Sequence, residues 1–259
     1  EMGVMRILVC VKRVPAPGAR IIITEDEQNI DSGHLGFTMS PHEECAIEAA
    51  TQLSEQHGGE VTILTAGSSA SEEQLRYAAS VGASSLVLIE NSSGNDWDPQ
   101  RTARALSAAV RALENESGNY DLLLFGNEAA DTGGYQTGIR TAHLLGRPIV
   151  NAINGIEVEE GGFVARRETL LGVEVYRVTG PAAFGVKEGI NLPRYPTMKG
   201  RLASKKLSVR VIEDHSEPGE QYRLRLFRPA EVAKETVILG TDSNAAGAVV
   251  DLLEEMGLV

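Results

Sequence analysis

The chain has 259 residues, 42% of them hydrophobic, with a formal net charge of −12 and a pI near 5.0. That length and apolar content suit one large folded domain, or a domain with a long appendage, and exclude disorder throughout. The acidic balance opposes nonspecific binding to a phosphate backbone, so no nucleic-acid partner is expected and any anionic ligand has to meet local positive charge.

In chain order, apolar runs alternate with helical patterns. Residues 7–11 read as a strand, 43–56 as a helix with Ala46, Ala49, Ala50 and Leu53 on one face, and 60–66 as a second strand. Ser71 with Glu72 and Glu73 starts a helix to residue 79, residues 86–89 form a strand, and Asp98-Pro99 caps a helix reaching residue 113. Gly58-Gly59 and Gly118 end two of these helices. Residues 122–125 and then 136–145 repeat the alternation, which predicts a doubly wound, mainly parallel α/β sheet. After Ile149 the pattern changes to segments 155–159, 163–167 and 173–178, antiparallel hairpins with Gly161-Gly162 as a turn. Residues 214–220 read as a linker and 245–256 as a final amphipathic helix.

The stretch from Asp121 to Pro148 is the most informative: a buried strand, a turn with Gly133-Gly134 and Gly138, and a helix start follow one another directly. Glycines let backbone N–H groups approach an anion, and the helix N-terminus adds partial positive charge. The amides of Gly133 and Gly134, with Thr132 and Thr137, suit a phosphate, and Arg140 adds a charge one turn in. The spacing matches neither GxGxxG nor GxxxxGK[ST]. From the glycines alone two readings stand, a phosphate-binding turn and an ordinary connection whose glycines serve only the turn. A second local feature is the segment 193–210, with Arg194, Lys199, Arg201, Lys205, Lys206 and Arg210 and no acidic residue. Met198 and Leu202 sit among these charges, so the segment reads either as a docking surface for an acidic partner protein or as a solvated loop.

No catalytic or metal-binding constellation emerges. His34, His42, His57, His143 and Trp97 are scattered, and Glu128 and Asp131, the carboxylates near the glycine turn, suit turn fixing. Cys10 and Cys45 lie far apart without a CxxC, as small buried hydrophobes of a reducing compartment would. No apolar run reaches membrane length and no signal-peptide pattern opens the chain, so the expectation is a cytoplasmic protein without membrane insertion.

Five separated motifs resemble the beta subunit of electron transfer flavoprotein, in register from about residue 7 to residue 211. The first strand with Val11-Lys12-Arg13-Val14-Pro15 is similar to that family's VKxVP turn, and Met39-Ser40-Pro41-His42-Glu43-Glu44-Cys45-Ala46 to its M-N-P helix start. Ser80-Val81-Gly82-Ala83 resembles its MGAD turn, Asp131 through Gly138 its D-x-x-x-x-Q-x-G nucleotide loop, and Pro193-Arg194-Tyr195-Pro196-Thr197-Met198 its PRYPSL recognition loop.

The resemblance implies an adenine-nucleotide alpha-hydrolase-like core with a hairpin insertion over residues 1–190. Residues 191–259 would form the recognition loop and a C-terminal arm packing on the alpha subunit. It implies an electron carrier subunit rather than an enzyme, in a heterodimer with an alpha subunit that holds most of the FAD, while this subunit buries AMP. Electrons would pass from acyl-CoA or other flavin dehydrogenases to a quinone oxidoreductase. By carry-over, the nucleotide pocket is Cys10, Ser40, Pro41, His42, Glu43 and Ala66, with Asp131, Thr132, Gly133, Gly134, Tyr135, Gln136, Thr137, Gly138, Ile139, Arg140, Thr141 and Ala142. The docking residues are Tyr195, Met198, Lys199, Leu202, Lys205 and Lys206. The chain departs from the pattern at Arg166-Arg167-Glu168, at Ala16-Pro17 where some members have a tyrosine near the flavin, and at Tyr135 before Gln136. Two alternatives differ in class: a bifurcating subunit with a second FAD in place of AMP that oxidises NADH, and a free-standing nucleotide-binding α/β protein.

Overall fold

The apolar runs pair side by side in the computed structural model, which describes residues 4–91, 97–230 and 236–259. In chain order the elements are β1 (Met5–Val11), β2 (Val14–Pro15), β3 (Phe37–Thr38), α1 (Pro41–His57), β4 (Gly59–Gly67), α2 (Glu72–Ser80), β5 (Ser85–Glu90), α3 (Pro99–Ser117) and β6 (Leu122–Gly126). There follow α4 (Thr137–Leu145), β7 (Ile149–Ile153), β8 (Gly155–Glu159), β9 (Gly162–Thr169), β10 (Gly172–Thr179), β11 (Ala182–Val186), α5 (Met198–Ser204), β12 (Val209–Glu213) and α6 (Ala245–Glu255).

Seven strands form one sheet in the order β12-β5-β4-β1-β6-β11-β7, and every pairing in it is parallel. A parallel sheet is stable only when both faces are covered, and the strand residues accordingly alternate between two apolar layers. Ile7, Val9, Ile63, Leu122 and Leu124 pack with α1 and α2, while Leu8, Leu64, Val87 and Leu123 pack with α3 and α4. The doubly wound arrangement expected from the alternation is therefore present. The hairpins form a separate antiparallel sheet, β10-β9-β8, whose Phe163 and Ala165 join the α1 layer.

Three strands of the main sheet carry little local signal. β7 and β11 extend it beyond β6, and β12, which starts on the last two residues of the basic segment 193–210, pairs with β5 at the opposite edge. The sheet thus reaches past the division expected at residue 190. The chain separates into two units, residues 1–225 and 226–259, the second containing α6.

What matters for function is the path around β1. From β1 the chain moves to β4 and β5 on one side, then returns to β6 on the other. In open α/β sheets the crevice beyond the carboxyl ends of the strands at such a reversal is where ligands bind.

Candidate functional site

The carboxyl ends of β1 and β6 bring together most of the residues expected at a nucleotide. Ser40 caps α1 by a reciprocal box: its side chain accepts from the Glu43 N–H at 3.3 Å, and Glu43 Oε2 accepts from the Ser40 N–H at 3.0 Å. The other Glu43 oxygen accepts from the Lys12 N–H at 2.9 Å, so one buried carboxyl ties the exit of β1 to the start of α1. Burial raises the Glu43 pKa to about 8, against the pull of these hydrogen bonds and of Lys12. Glu43 was expected at the nucleotide; both of its oxygens are engaged by backbone amides at the floor of the crevice.

Close approach at this floor depends on Gly126 at the end of β6. A Cβ there would stand 2.7 Å from Glu43 Cγ and 3.3 Å from His42 Cβ. His42 Nδ1 accepts from the Glu188 N–H at 2.7 Å, which puts the proton of the neutral ring on Nε2, 3.6 Å from Glu128 Oε1. Pro41 occupies the first turn of α1, where its missing N–H is not needed.

On the other face of the sheet, Cys10 pairs in register with Leu64 and Phe125 and packs in one apolar cluster with Phe125, Ala142 and the half-buried Ala66. Burial, with Glu43 adding to it, pushes the Cys10 thiol up, so the group is an inert wall rather than a nucleophile. Gly138 lets α4 lie against β6, since a Cβ would meet Phe125 Cγ at 3.0 Å. Thr141 and Ala142 lie wholly buried on the inner face of α4, and Thr141 Oγ1 donates to the Thr137 carbonyl.

The glycine turn itself is only partly available. The Thr132 and Gly133 amides, expected at a phosphate, close on the Ala129 carbonyl, at 3.3 and 2.8 Å. Gly134 and the first-turn amides of α4, at Thr137, Gly138 and Ile139, remain: Gln136 at the N-cap gives no side-chain hydrogen bond. Gln136 instead accepts from Arg140, whose guanidinium also donates to Gln100 Oε1 at 2.6 Å. Tyr135 is exposed and left-handed at φ 54°, beside Gly133 at φ 56°. Asp131 is bound by Lys12 Nζ, with 2.8 and 2.7 Å to its two oxygens. The crevice thus offers an uncapped helix start, one fixed guanidinium and an ion pair at its rim, a donor set that fits an adenylate phosphate.

The residues read as a docking surface lie elsewhere, on α5 and the loop before it. Tyr195, Met198 and Leu202 are exposed by 92%, 75% and 58%, and Met198 and Leu202 share one face one turn apart. Lys199, Arg201, Lys205 and Lys206 are exposed around them and form no ion pair among the described residues. The remaining two cations of the segment are engaged: Arg194 by Glu48 and Glu55 of α1, and Arg210 by both oxygens of Glu116.

Sequence reasoning missed Lys12, Gly126 and Gln100 as site residues. A lysine directly after an apolar strand and a glycine closing another were visible signals, because both positions fall at the carboxyl end of a parallel sheet; Gln100 carried none.

The Electron transfer flavoprotein domain family matches residues 30–217. The chain is 34% identical over 206 residues to the electron transfer flavoprotein subunit beta of Syntrophomonas wolfei, covering 79% of this chain and 78% of that one. It is 30% identical over 256 residues to the subunit beta of Bacillus subtilis, covering 96% and 97%. A caffeyl-CoA reductase-Etf complex subunit, CarD of Acetobacterium woodii, is 27% identical over 268 residues, covering 98% and 100%.

Proposed function

The chain belongs to the electron transfer flavoprotein family as a beta subunit, and from that premise we propose that it forms a heterodimeric electron carrier with an alpha subunit and binds AMP at the β1/β6 crevice. The observation that carries the nucleotide reading is the start of α4, uncapped and backed by a guanidinium that Gln136 and Gln100 hold in place. An adenine ring would have Cys10 and Ala66 as small neighbours on the sheet, and a phosphate would take the Gly134 and α4 amides. His42, Ser40 and Glu43 would hold α1 against β6 and keep the crevice in shape.

FAD, held chiefly by the alpha subunit, supplies the redox chemistry when bound. This chain's part is to cover that flavin domain and to bring the donor close. Two apolar surfaces favour a partner subunit: Leu170, Leu171, Val173 and Val175 stand exposed on the β9–β10 hairpin, and Val237, Ile238 and Val249 are exposed in the second unit, which would serve as the arm on the alpha subunit. The exposed Met198 and Leu202 among free cations favour transient docking to a flavin dehydrogenase, with a quinone oxidoreductase as acceptor. Two buried free cysteines accord with a reducing, cytoplasmic setting, and no helix among the described residues is long and apolar enough to cross a membrane.

The likeness to a subunit named for a caffeyl-CoA reductase-Etf complex favours a second reading, in which a second FAD replaces AMP and NADH is oxidised. Co-purification with the alpha subunit, denaturation, and mass spectrometry of the released nucleotides separates the two. One FAD with AMP per heterodimer supports the carrier, two FAD the second reading, and one FAD with no further adenine nucleotide overturns the site at the α4 start.

A further inference from the structure

The docking segment is held to α1 by three rungs at a constant sequence offset. The Glu188 N–H donates to His42 Nδ1 at 2.7 Å, Asn191 Nδ2 donates to the Cys45 carbonyl at 2.9 Å, and Arg194 Nε donates to Glu48 Oε2 at 2.9 Å, each pair 146 residues apart. The third rung is the strongest. Arg194 places its fork on both oxygens of Glu48, adds its backbone N–H at 3.2 Å, and reaches both oxygens of Glu55 at 2.7 and 2.9 Å. Glu48 is itself buried, at 4% exposure, so without the guanidinium its charge would stand uncompensated.

A second anchor lies under α5. Arg76 donates to the carbonyls of Ser204 and Leu207, and Gly200 sits so close to α2 that a Cβ would stand 2.2 Å from the Ser80 carbonyl oxygen. Between Arg194 and Ser204 the chain exposes Tyr195, Met198 and Leu202.

We propose that Arg194 is a positioning residue: together with Glu48 and Glu55 it pins the docking segment to α1, so that Tyr195, Met198 and Leu202 meet a partner as a pre-formed face. The proposal rests on the docking reading above and goes beyond it by dividing the basic segment into two roles. Lys199, Arg201, Lys205 and Lys206 steer encounter, whereas the charge of Arg194 is paired by the carboxylates of Glu48 and Glu55 and takes no part in steering. Pre-formation removes the ordering entropy from the docking step, so loss of the clamp weakens binding chiefly by faster dissociation.

The test uses the flavin-loaded heterodimer, with hydrogen exchange of peptides covering residues 195–204 and stopped-flow association with a purified acyl-CoA dehydrogenase at several salt concentrations. Glu48→Gln with Arg194→Gln removes the clamp without stranding a buried charge, and Glu55→Gln loosens its exposed end. The double variant is expected to exchange about tenfold faster in that segment and to dissociate about tenfold faster, as loss of charged hydrogen bonds implies. Its association rate should keep the salt dependence of the parent, and Glu55→Gln should show the same changes in smaller degree. Arg194→Lys should not restore the parent, because a point charge cannot replace the fork. Unchanged exchange in both variants, a flattened salt dependence in the double variant, or full rescue by lysine would overturn the proposal. Met198→Ala, run in parallel, tests the docking reading separately: if it associates and reacts like the parent, that reading fails, while the exchange data still decide whether Arg194 orders the segment.

Discussion

At the carboxyl edge of the sheet, Glu43 is buried and both of its oxygens are engaged by backbone amides, whereas on α5 and directly after it Lys199, Lys205 and Lys206 stand exposed with no carboxylate beside them among the described residues. The two regions use polar groups in opposite ways. The edge takes its shape from buried hydrogen bonds and from glycines that allow backbone contact, so its tolerance for added atoms is small. The docking segment takes its shape from two anchors and leaves the side chains between them free. The difference teaches where a substitution should register: at the edge as lost stability and lost nucleotide, at the docking face as altered kinetics in a protein that is otherwise intact.

The largest effect is expected from Gly126→Ala. Its Cβ would press on Glu43 Cγ at 2.7 Å and force the first turn of α1 away from β6. Overpacking of this kind costs about 1–3 kcal/mol, and thermal melting together with nucleotide content of the purified heterodimer would register it. Normal stability with a full complement of nucleotide would break the comparison. Next comes pH. Because the folded-state pKa of Glu43 is raised from 4.5 to about 8, the folded chain holds a proton between those values that the unfolded chain has released. That contribution to stability is full below about pH 4.5 and is lost as pH rises through about 8. Melting temperature should therefore fall between pH 5.5 and 8.5, and Glu43→Gln should flatten the fall; an equal slope in both proteins would show that Glu43 is ionised throughout.

The same division explains what was legible in the sequence. β1, β4, β5 and β6 are unbroken apolar runs with β-branched or leucine content, and α1 and α3 carry their caps at Ser40 and Asp98, so each could be read locally. β11 could not: Ala182, Ala183 and Gly185 have weak strand preference, and only pairing with β6 and β7 on both sides makes the segment a strand. β12 alternates Val209, Arg210, Val211 as an edge strand does, but its start at the end of a basic run hid the pattern. At the site, the glycine turn and the Met198 knob were visible as chemistry. The Lys12–Asp131 pair, 119 residues apart, and the Arg194–Glu48 pair, 146 apart, were not, because nothing local tells a paired cation from a free one. The partner of the Thr132 and Gly133 amides was hidden for a similar reason: the Ala129 carbonyl reaches them only through the way the turn closes.

On the docking side the effects should be kinetic. Met198→Ala removes a side chain that is 75% exposed, so the folded chain loses almost no packing and its melting temperature should not move beyond about 0.5 kcal/mol of stability. If Met198 is the anchor, reduction of the heterodimer by a donor dehydrogenase should slow about tenfold at sub-saturating donor, the cost of one well-seated apolar contact. A melting temperature that drops with the rate would place Met198 in the packing of α5 instead.

The smallest effect sharpens the comparison most. Lys205→Ala with Lys206→Ala removes two exposed charges that hold no carboxylate among the described residues, so neither stability nor nucleotide content should change. Association with an acidic partner should slow a few-fold at low ionic strength, and the difference should vanish once salt shortens the Debye length to about 3 Å. The convergence at high salt is the informative part. Steering charges act over distance before contact and are screened, whereas a lysine seated in the interface would leave a difference that salt does not remove. A residual defect at high salt would therefore move these lysines from the approach to the contact itself, and the docking face would extend beyond Tyr195, Met198 and Leu202 toward β12.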